Sequence, residues 1–256
     1  MTNLKPILVL WSTPRSTSTA FEWMMRMRGD MTCFHEPFAQ VWWQGDEARW
    51  PRIKPDSPRI PGLTFKGVSD QIRQAARVQP VFVKDMATHV DHLWDDPDFL
   101  GPFTNSFLIR HPAKVLTSIF ARAPEYTLKE LGFVDQHKLF RKLCDRDGRA
   151  PPVIDSDDLL ENPYGMVEAY CKAVNIPFVP QALSWEPGTR AEVSWYDHGS
   201  WHDNLKASDG LKPQPRRHQP KVTDMSDEWK GFYTHILPLY EELYQNRLFA
   251  ESSVPG

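Results

Sequence analysis

Short runs of consecutive apolar residues alternate along this chain with longer segments in which apolar residues recur every three or four positions. Ile7–Trp11, Met31–Pro37, Pro80–Lys84, Phe107–Ile109 and Val153–Ile154 read as strands. The runs in the first and fourth show no polar alternation, the mark of a strand buried on both faces. Between them lie helical patterns: Phe21, Met24 and Met25; Lys66–Val78; and, after Pro112, the set Val115, Leu116, Ile119 and Phe120. Lys129–Arg149 reads as one polar helix with an apolar stripe from Leu131 to Leu143. Ser226–Leu248 reads as a long helix or a pair broken at Pro238. Strands alternating with helices predict an α/β protein with a parallel sheet covered on both faces.

Two stretches carry no period. Residues 41–61 hold prolines at 51, 55, 58 and 61 and are too proline-dense for a regular element. Residues 184–221 are irregular and rich in Trp, His, Gly and Pro. Ordered loops of this length act as lids or pocket walls. Trp42, Trp43 and Trp50 either line a pocket or cover a core edge.

Composition narrows the class. The 256 residues suit one domain, 1–256, with no repeat or low-complexity linker. A net charge of −3 gives no reason to expect nucleic acid or an anionic membrane as partner. No run approaches the ~20 apolar residues of a membrane span. Three cysteines without metal-type spacing fit a reduced cytoplasm. The 23 prolines exceed the usual ~5%, so the fold carries long fixed loops.

The candidate chemistry sits at strand ends. After Trp11 come Ser12, Thr13, Pro14, Arg15, Ser16, Thr17, Ser18 and Thr19, and then a helix. A strand, a hydroxyl-rich loop and a helix N-terminus aim free N–H groups and the positive dipole end at one point, which suits phosphate. Arg15 adds a guanidinium fork. The plain alternative is a Ser/Thr cap with a solvated arginine. The G-x-x-x-x-G-K-[ST] pattern of ATP- and GTP-hydrolysing loops is absent. At the next strand ends stand His35 and Glu36, then Lys84 and Asp85, then Arg110 and His111. Ser118 follows eight positions after Arg110, and together they can hold a second anion.

These stretches carry a resemblance. Lys5–Arg26 resembles the 5′-phosphosulfate loop of sulfotransferases that use 3′-phosphoadenosine 5′-phosphosulfate (PAPS). Arg110 with Ser118 matches their 3′-phosphate signature in type and spacing. Val153–Phe178, VIDSDDLLENPYGMVEAYCKAVNIPF, looks like their strand, acidic pair and proline-led helix. The matches follow the family's order over Ile7–Phe178 and are closest to bacterial and carbohydrate-type members.

The resemblance implies a three-layer P-loop-like fold with about five strands and with loops 41–61 and 184–221 capping an acceptor site. It implies sulfuryl transfer from PAPS to a hydroxyl or amine of a small-molecule or carbohydrate acceptor, releasing PAP, with no metal. Arg15, Ser16, Thr17, Ser18 and Thr19 correspond to the phosphosulfate loop, and Arg110 and Ser118 to the 3′-phosphate site. Lys84 resembles a lysine at the bridging region. Glu36 resembles the base of carbohydrate-type members, while the cytosolic branch has a histidine soon after the lysine. The base is therefore Glu36 or His89, with Asp85 behind them. Arg216 and Arg217, with His218 and Lys221, stand where that branch closes a basic loop over the 3′-phosphate; a solvated loop is the alternative.

Trp185, Trp195, Tyr196, His198, Trp201 and His202 resemble an acceptor-side or adenine-side surface. A homodimer fits the family, but no motif demands it. Thr17 stands where the family loop has glycine, Ala20 where the cytosolic branch has tryptophan, and Ser156 where an aromatic is frequent. Two other classes remain: a nucleotide-binding module without chemistry, and a small-molecule kinase with a divergent loop, which needs Mg²⁺ and a loop lysine.

Overall fold

The structure, a computed structural model, describes residues 4–188, 202–216, 218 and 220–250. Its centre is a five-stranded sheet in the order β2-β3-β1-β4-β5, parallel throughout. The strands are β1 Ile7–Ser12, β2 Thr32–His35, β3 Val81–Asp85, β4 Phe103–Ile109 and β5 Val153–Asp155. The expected α/β fold, with helices on both faces, is the one observed.

The unbroken apolar run of β1 has a simple cause: both of its faces are covered. Ile7, Val9 and Trp11 face one layer, with α2 (Pro37–Gln44), α3 (Phe65–Ala76), α7 (Phe133–Asp147) and α11 (Asp227–Gln245). Leu8 and Leu10 face the other, with α1 (Ser18–Met27) and α9 (Pro163–Ala173). Each such side chain contributes about 1.5–3 kcal/mol when fully buried. A one-residue slip would exchange the two faces, which pins the register. A third cluster joins Val115, Leu116 and Ile119 of α5 (Pro112–Phe120) to Trp229 and Ile236.

The remaining short helices are α4 Pro97–Leu100, α6 Leu128–Leu131, α8 Ser156–Glu161 and α10 Asp203–Lys206. A 3₁₀ segment, Ala87–Leu93, follows β3 and carries His89.

Three expectations need correction. Residues 41–44 are helical, because Pro37 at the first turn of α2 supplies the fixed φ that starts a helix. Glu36, expected to be extended before that proline, has φ 41° and ψ 53°, in the left-handed region. Its N–H still donates to Lys84 O at 2.7 Å, so the chain leaves the β2–β3 ladder and enters a helix within one residue. The polar helix at 129–149 is two helices parted at Gly132, whose φ of 75° only glycine adopts freely. Of the two readings of Ser226–Leu248, the single long helix is the one observed: Pro238 lies inside α11 without ending it, since both halves of that helix are anchored in apolar clusters.

From β1 the chain crosses to β2 at one edge, returns to β3 beside β1, and then adds β4 and β5 on the other side, so the connections leaving β1 and β4 run in opposite directions. In such sheets the ligand crevice opens at the carboxyl ends beside that reversal. The loops carrying Arg15 and Arg110 both emerge there.

Candidate active site

The loop between β1 and α1 is tightly built. Arg15 and Thr17 both have positive φ, 60° and 72°, which side chains with a Cβ rarely adopt. Thr17 thus holds the backbone shape for which the resembling loops use glycine. Its carbonyl accepts from the N–H groups of Ala20 and Phe21 and so starts α1. Ser16 Oγ donates to Thr13 O at 2.7 Å, and Ser156 Oγ donates to Ser16 O. Ser156, the departure after β5, therefore ties the start of α8 to this loop. Thr13 Oγ1, in the same loop, is buried with no hydrogen-bond partner among the described residues.

Cations converge on the loop. Arg110, at the end of β4, donates from Nη1 to Arg15 O at 2.6 Å. Arg15 Nε donates to Ser118 Oγ at 3.1 Å, across 103 positions of sequence. Burial, then the charges of Arg122 and Arg110, lower the Arg15 pKa below its ordinary value. A half-buried guanidinium beside two others is a receptor for anions, and its forks suit phosphate oxygens. Arg15, Ser16, Thr17, Arg110 and Ser118 are thus brought together, with Ser18 and Thr19 opening α1 beside them. The donor set fits a doubly phosphorylated nucleotide.

The second half of the site lies at the ends of β2 and β3. Side-chain alternation points Lys84, level with His35 and Leu10 in the sheet, toward α1. There it meets Glu22, a fully buried carboxylate on α1. Glu22 accepts from Arg26 Nε and Nη2 at 2.9 and 2.7 Å and lies 2.6 Å from His35 Nδ1. Lys84 Nζ is 4.0 Å from Glu22 and donates to Glu36 Oε1 at 2.6 Å. Burial raises the Glu22 carboxyl, but His35, Lys84 and Arg26 outweigh it and hold the group below its usual range. The same balance holds for Glu36: burial raises it, while Lys84, His35 and His89 together bring it well below the usual range.

Asp85 points the other way, into the layer of Trp11. It accepts from the N–H groups of Phe38 and Met86 at 2.9 and 2.7 Å and lies 2.6 Å from His89 Nδ1. His89 has a side chain only 3% exposed and packs 5.0 Å from Trp42 and 6.2 Å from Trp43, centroid to centroid. The Glu36 side chain is 26% exposed. Of the two candidate bases, Glu36 is the more exposed.

The proline-rich loop supplies a wall. Trp50 Nε1 donates to Glu130 Oε1 at 2.7 Å, and Arg52 donates to the same oxygen while stacking 4.7 Å over Trp50 and 5.8 Å from the ring of Tyr126. Burial, Glu130 and Glu36 raise the Tyr126 hydroxyl, which places Tyr126 within the field of the candidate base. Trp42 belongs to the core, Trp43 is 44% exposed, and Trp50 is bound to the wall.

Other residues singled out in the sequence go elsewhere. Arg216 is held by Asp158 and by Glu161 Oε2 at 2.9 Å. Trp185 is buried against α1 and α9, with Nε1 donating to Ser208 Oγ. His202 joins the site: its ring lies 6.1 Å from His35, and burial, His35 and Lys84 lower its pKa to about 4. Asp155 accepts from the N–H groups of Asp157 and Asp158, so it caps α8. Arg217, Trp195, Tyr196, His198 and Trp201 lie outside the described residues.

Two residues were missed in the sequence. Glu22 had a signal, a carboxylate inside the apolar pattern of α1 with an arginine four positions later. Arg122, four positions after Ser118, had none.

Comparison with known proteins gives the family and the fold. The sulfotransferase domain family matches residues 6–243. Two Arabidopsis thaliana proteins, branched-chain-amino-acid aminotransferase-like proteins 2 and 1, are 25% and 26% identical over 238 residues each. Those alignments take in 93% and 91% of this chain but 41% and 40% of theirs, so it spans about two fifths of their length. Among solved structures, the sulfotransferase domain from the Synechococcus PCC 7002 olefin synthase superposes with a TM-score of 0.52 at 14% identity, over 91% of this chain and 94% of that one. The sulfotransferase domain from the curacin biosynthetic pathway gives 0.53 at 15%, over 91% and 98%. At these identities the two structures share its fold. With a five-stranded parallel sheet and a family match spanning nearly its whole length, the chain belongs to the sulfotransferase domain family.

Proposed function

We propose that this protein transfers a sulfuryl group from PAPS to a hydroxyl or amine of a small-molecule or carbohydrate acceptor. The observation that carries the reading is the convergence of Arg15, Arg110 and Ser118 at a positive-φ loop facing a helix N-terminus. That arrangement suits a nucleotide with phosphate on both the 3′ and 5′ sides.

PAPS supplies the activated sulfuryl group. The acceptor oxygen or nitrogen bonds to sulfur while the bond from sulfur to the 5′-phosphate oxygen breaks, so charge develops on the departing phosphate. Arg15 and Lys84 stabilise that charge. Glu36 takes the acceptor proton. His89, held by Asp85 and packed against Trp42, lies near enough to Glu36 to help hold its carboxyl down.

One consequence follows from the Lys84–Glu36 pair. As donor oxygens compete for Lys84, Glu36 loses its strongest cation, and burial then moves its carboxyl upward toward a useful basicity.

A thermal-shift titration with PAP, AMP, ADP and ATP, each with and without Mg²⁺, tests the donor. At a hundredfold excess over Kd a ligand adds about 2.7 kcal/mol. A PAP-selective, Mg²⁺-independent shift that Arg110→Ala abolishes is the expected result. A shift with Mg²⁺–ATP alone overturns the proposal in favour of a kinase. PAP release from PAPS in the presence of hydroxyl and amine acceptors then separates an enzyme from a nucleotide-binding module.

A further inference from the structure

Glu22 lies one turn into α1 and is fully buried. Its two oxygens face different ways. Oε1 accepts from Arg26 Nε and Nη2, four positions along the same helix, at 2.9 and 2.7 Å. Oε2 lies 2.6 Å from His35 Nδ1 and 4.0 Å from Lys84 Nζ. His35 and Lys84 stand level on neighbouring strands, so this one oxygen meets the carboxyl edges of β2 and β3 together.

A buried carboxylate is costly unless it is paired, and Arg26 alone supplies a pair. A structural tie between α1 and its own last turn therefore explains Oε1 and leaves the aim of Oε2 unexplained. The chemistry of the site gives a reason. Lys84 is 1% exposed and holds Glu36 at 2.6 Å. Glu36 turns neutral when it takes the acceptor proton, and the oxygens of the sulfuryl donor compete with it for the lysine. Either event deprives a buried ammonium of its nearest anion, which burial penalises. Glu22, with no exposed surface, is beyond the reach of both substrates.

We infer that Glu22 is a positioning residue: through Oε2 it is the standing counter-ion that keeps Lys84 charged, and in place for the 5′-phosphate, while Glu36 changes partner. The inference rests on the sulfotransferase reading. The other ionisable groups around Glu22 do not take that part. Arg26 carries the same charge as Lys84. The Cys33 thiol, two positions before His35 on β2, is pushed up to about 12 by burial and is neutral. His202, beside His35, is lowered to about 4 by burial, His35 and Lys84, so it too is neutral near neutral pH. His35 is held by Glu22 itself.

Calorimetric titration with PAP of the wild-type protein, Glu22→Gln, Lys84→Met and the double variant tests it. Each single variant should bind PAP about tenfold more weakly at neutral pH, and the double variant no worse than Lys84→Met. The loss in Glu22→Gln relative to wild type should grow as pH rises, because a buried ammonium without its counter-ion yields its proton. Glu22→Asp keeps the charge and should lie between; it carries the same comparison if Glu22→Gln does not melt cooperatively. Unchanged or tighter PAP binding in a folded Glu22→Gln protein overturns the inference. A loss of the same size with and without Lys84 overturns it too, by making Glu22 a structural tie. So does a pH-dependent difference that persists between the double variant and Lys84→Met, since that effect belongs to His35. A wild type that does not bind PAP overturns the sulfotransferase reading itself.

Discussion

Lys84 Nζ stands 2.6 Å from Glu36 Oε1, so a buried cation at the end of β3 and a partly exposed carboxylate just after β2 hold each other. Burial raises the Glu36 carboxyl, and Lys84 is the largest influence holding it down. Lys84→Met should therefore cut turnover by about 10²-fold, as loss of one charge-stabilising donor does. It should also move the acidic limb of the pH–rate profile upward. A profile whose acidic limb stays in place would show that the pair does not govern Glu36.

Glu36→Gln keeps the shape of the side chain and removes the proton acceptor. Its turnover should fall by about 10²–10⁴-fold, with PAP binding retained in a thermal-shift titration. His89→Gln should lose less, because His89 is buried behind Trp42 and does not reach an acceptor. A larger loss at His89 than at Glu36 reverses the assignment of the base.

Arg15 is half-buried and links the β1–α1 loop to Ser118 and Arg110. Arg15→Ala should abolish turnover and weaken PAP binding while the circular dichroism melt remains cooperative. Full turnover in a folded Arg15→Ala protein removes Arg15 from the mechanism.

Thr17 holds φ at 72° and makes no side-chain capping bond. Thr17→Gly relieves the strain at the cost of chain entropy, for a net gain of up to ~1 kcal/mol. The melting temperature should rise by about 2–4 °C per kcal/mol. Gly132→Ala should do the opposite: φ is 75°, and an added Cβ would stand 2.8 Å from Met86 Cε. Melting curves of the two variants check both signs.

Glu22 and Glu36 lie below their ordinary carboxyl value of 4.5, so each contributes stability above that pH that is lost as pH falls through the folded value. His202, lowered from 6.5 to about 4, works in the same direction, because the unfolded chain binds its proton first. Stability should decline from about pH 6.5 and steeply below 4.5. Glu22→Gln leaves Arg26, His35 and Lys84 without their buried partner and should cost about 3 kcal/mol at pH 7. Its acid decline should be shallower, because the ionised Glu22 that is lost as pH falls is absent from the variant. Parallel curves would mean that Glu22 is not ionised in the folded protein.

Much of the site was legible in the chain because strand ends are legible. An apolar run such as Ile7–Trp11 must be buried, so the first polar residues after it fall at a sheet edge. That reasoning places Arg15, Glu36, Lys84 and Arg110 at the carboxyl edge of the sheet. Thr17 in place of glycine looked like a departure, yet the backbone takes the glycine shape regardless. Local contacts, the ladder bond at Glu36 N and the proline after it, overrode the extended geometry expected there.

The linear pattern was enough to establish strand–helix alternation, the parallel sheet and the residues at its carboxyl edge, since burial and periodicity are local properties of the sequence. Which groups face one another is a matter of distance across the sheet. Arg15 and Ser118 are 103 positions apart, Lys84 and Glu36 48, and Trp50 and Glu130 80. No period or spacing encodes such pairs. The buried Glu22 beneath Lys84, the reach of Glu36 against the enclosure of His89, and the gathering of Arg122 with Arg15 and Arg110 were decided only when the strands packed side by side.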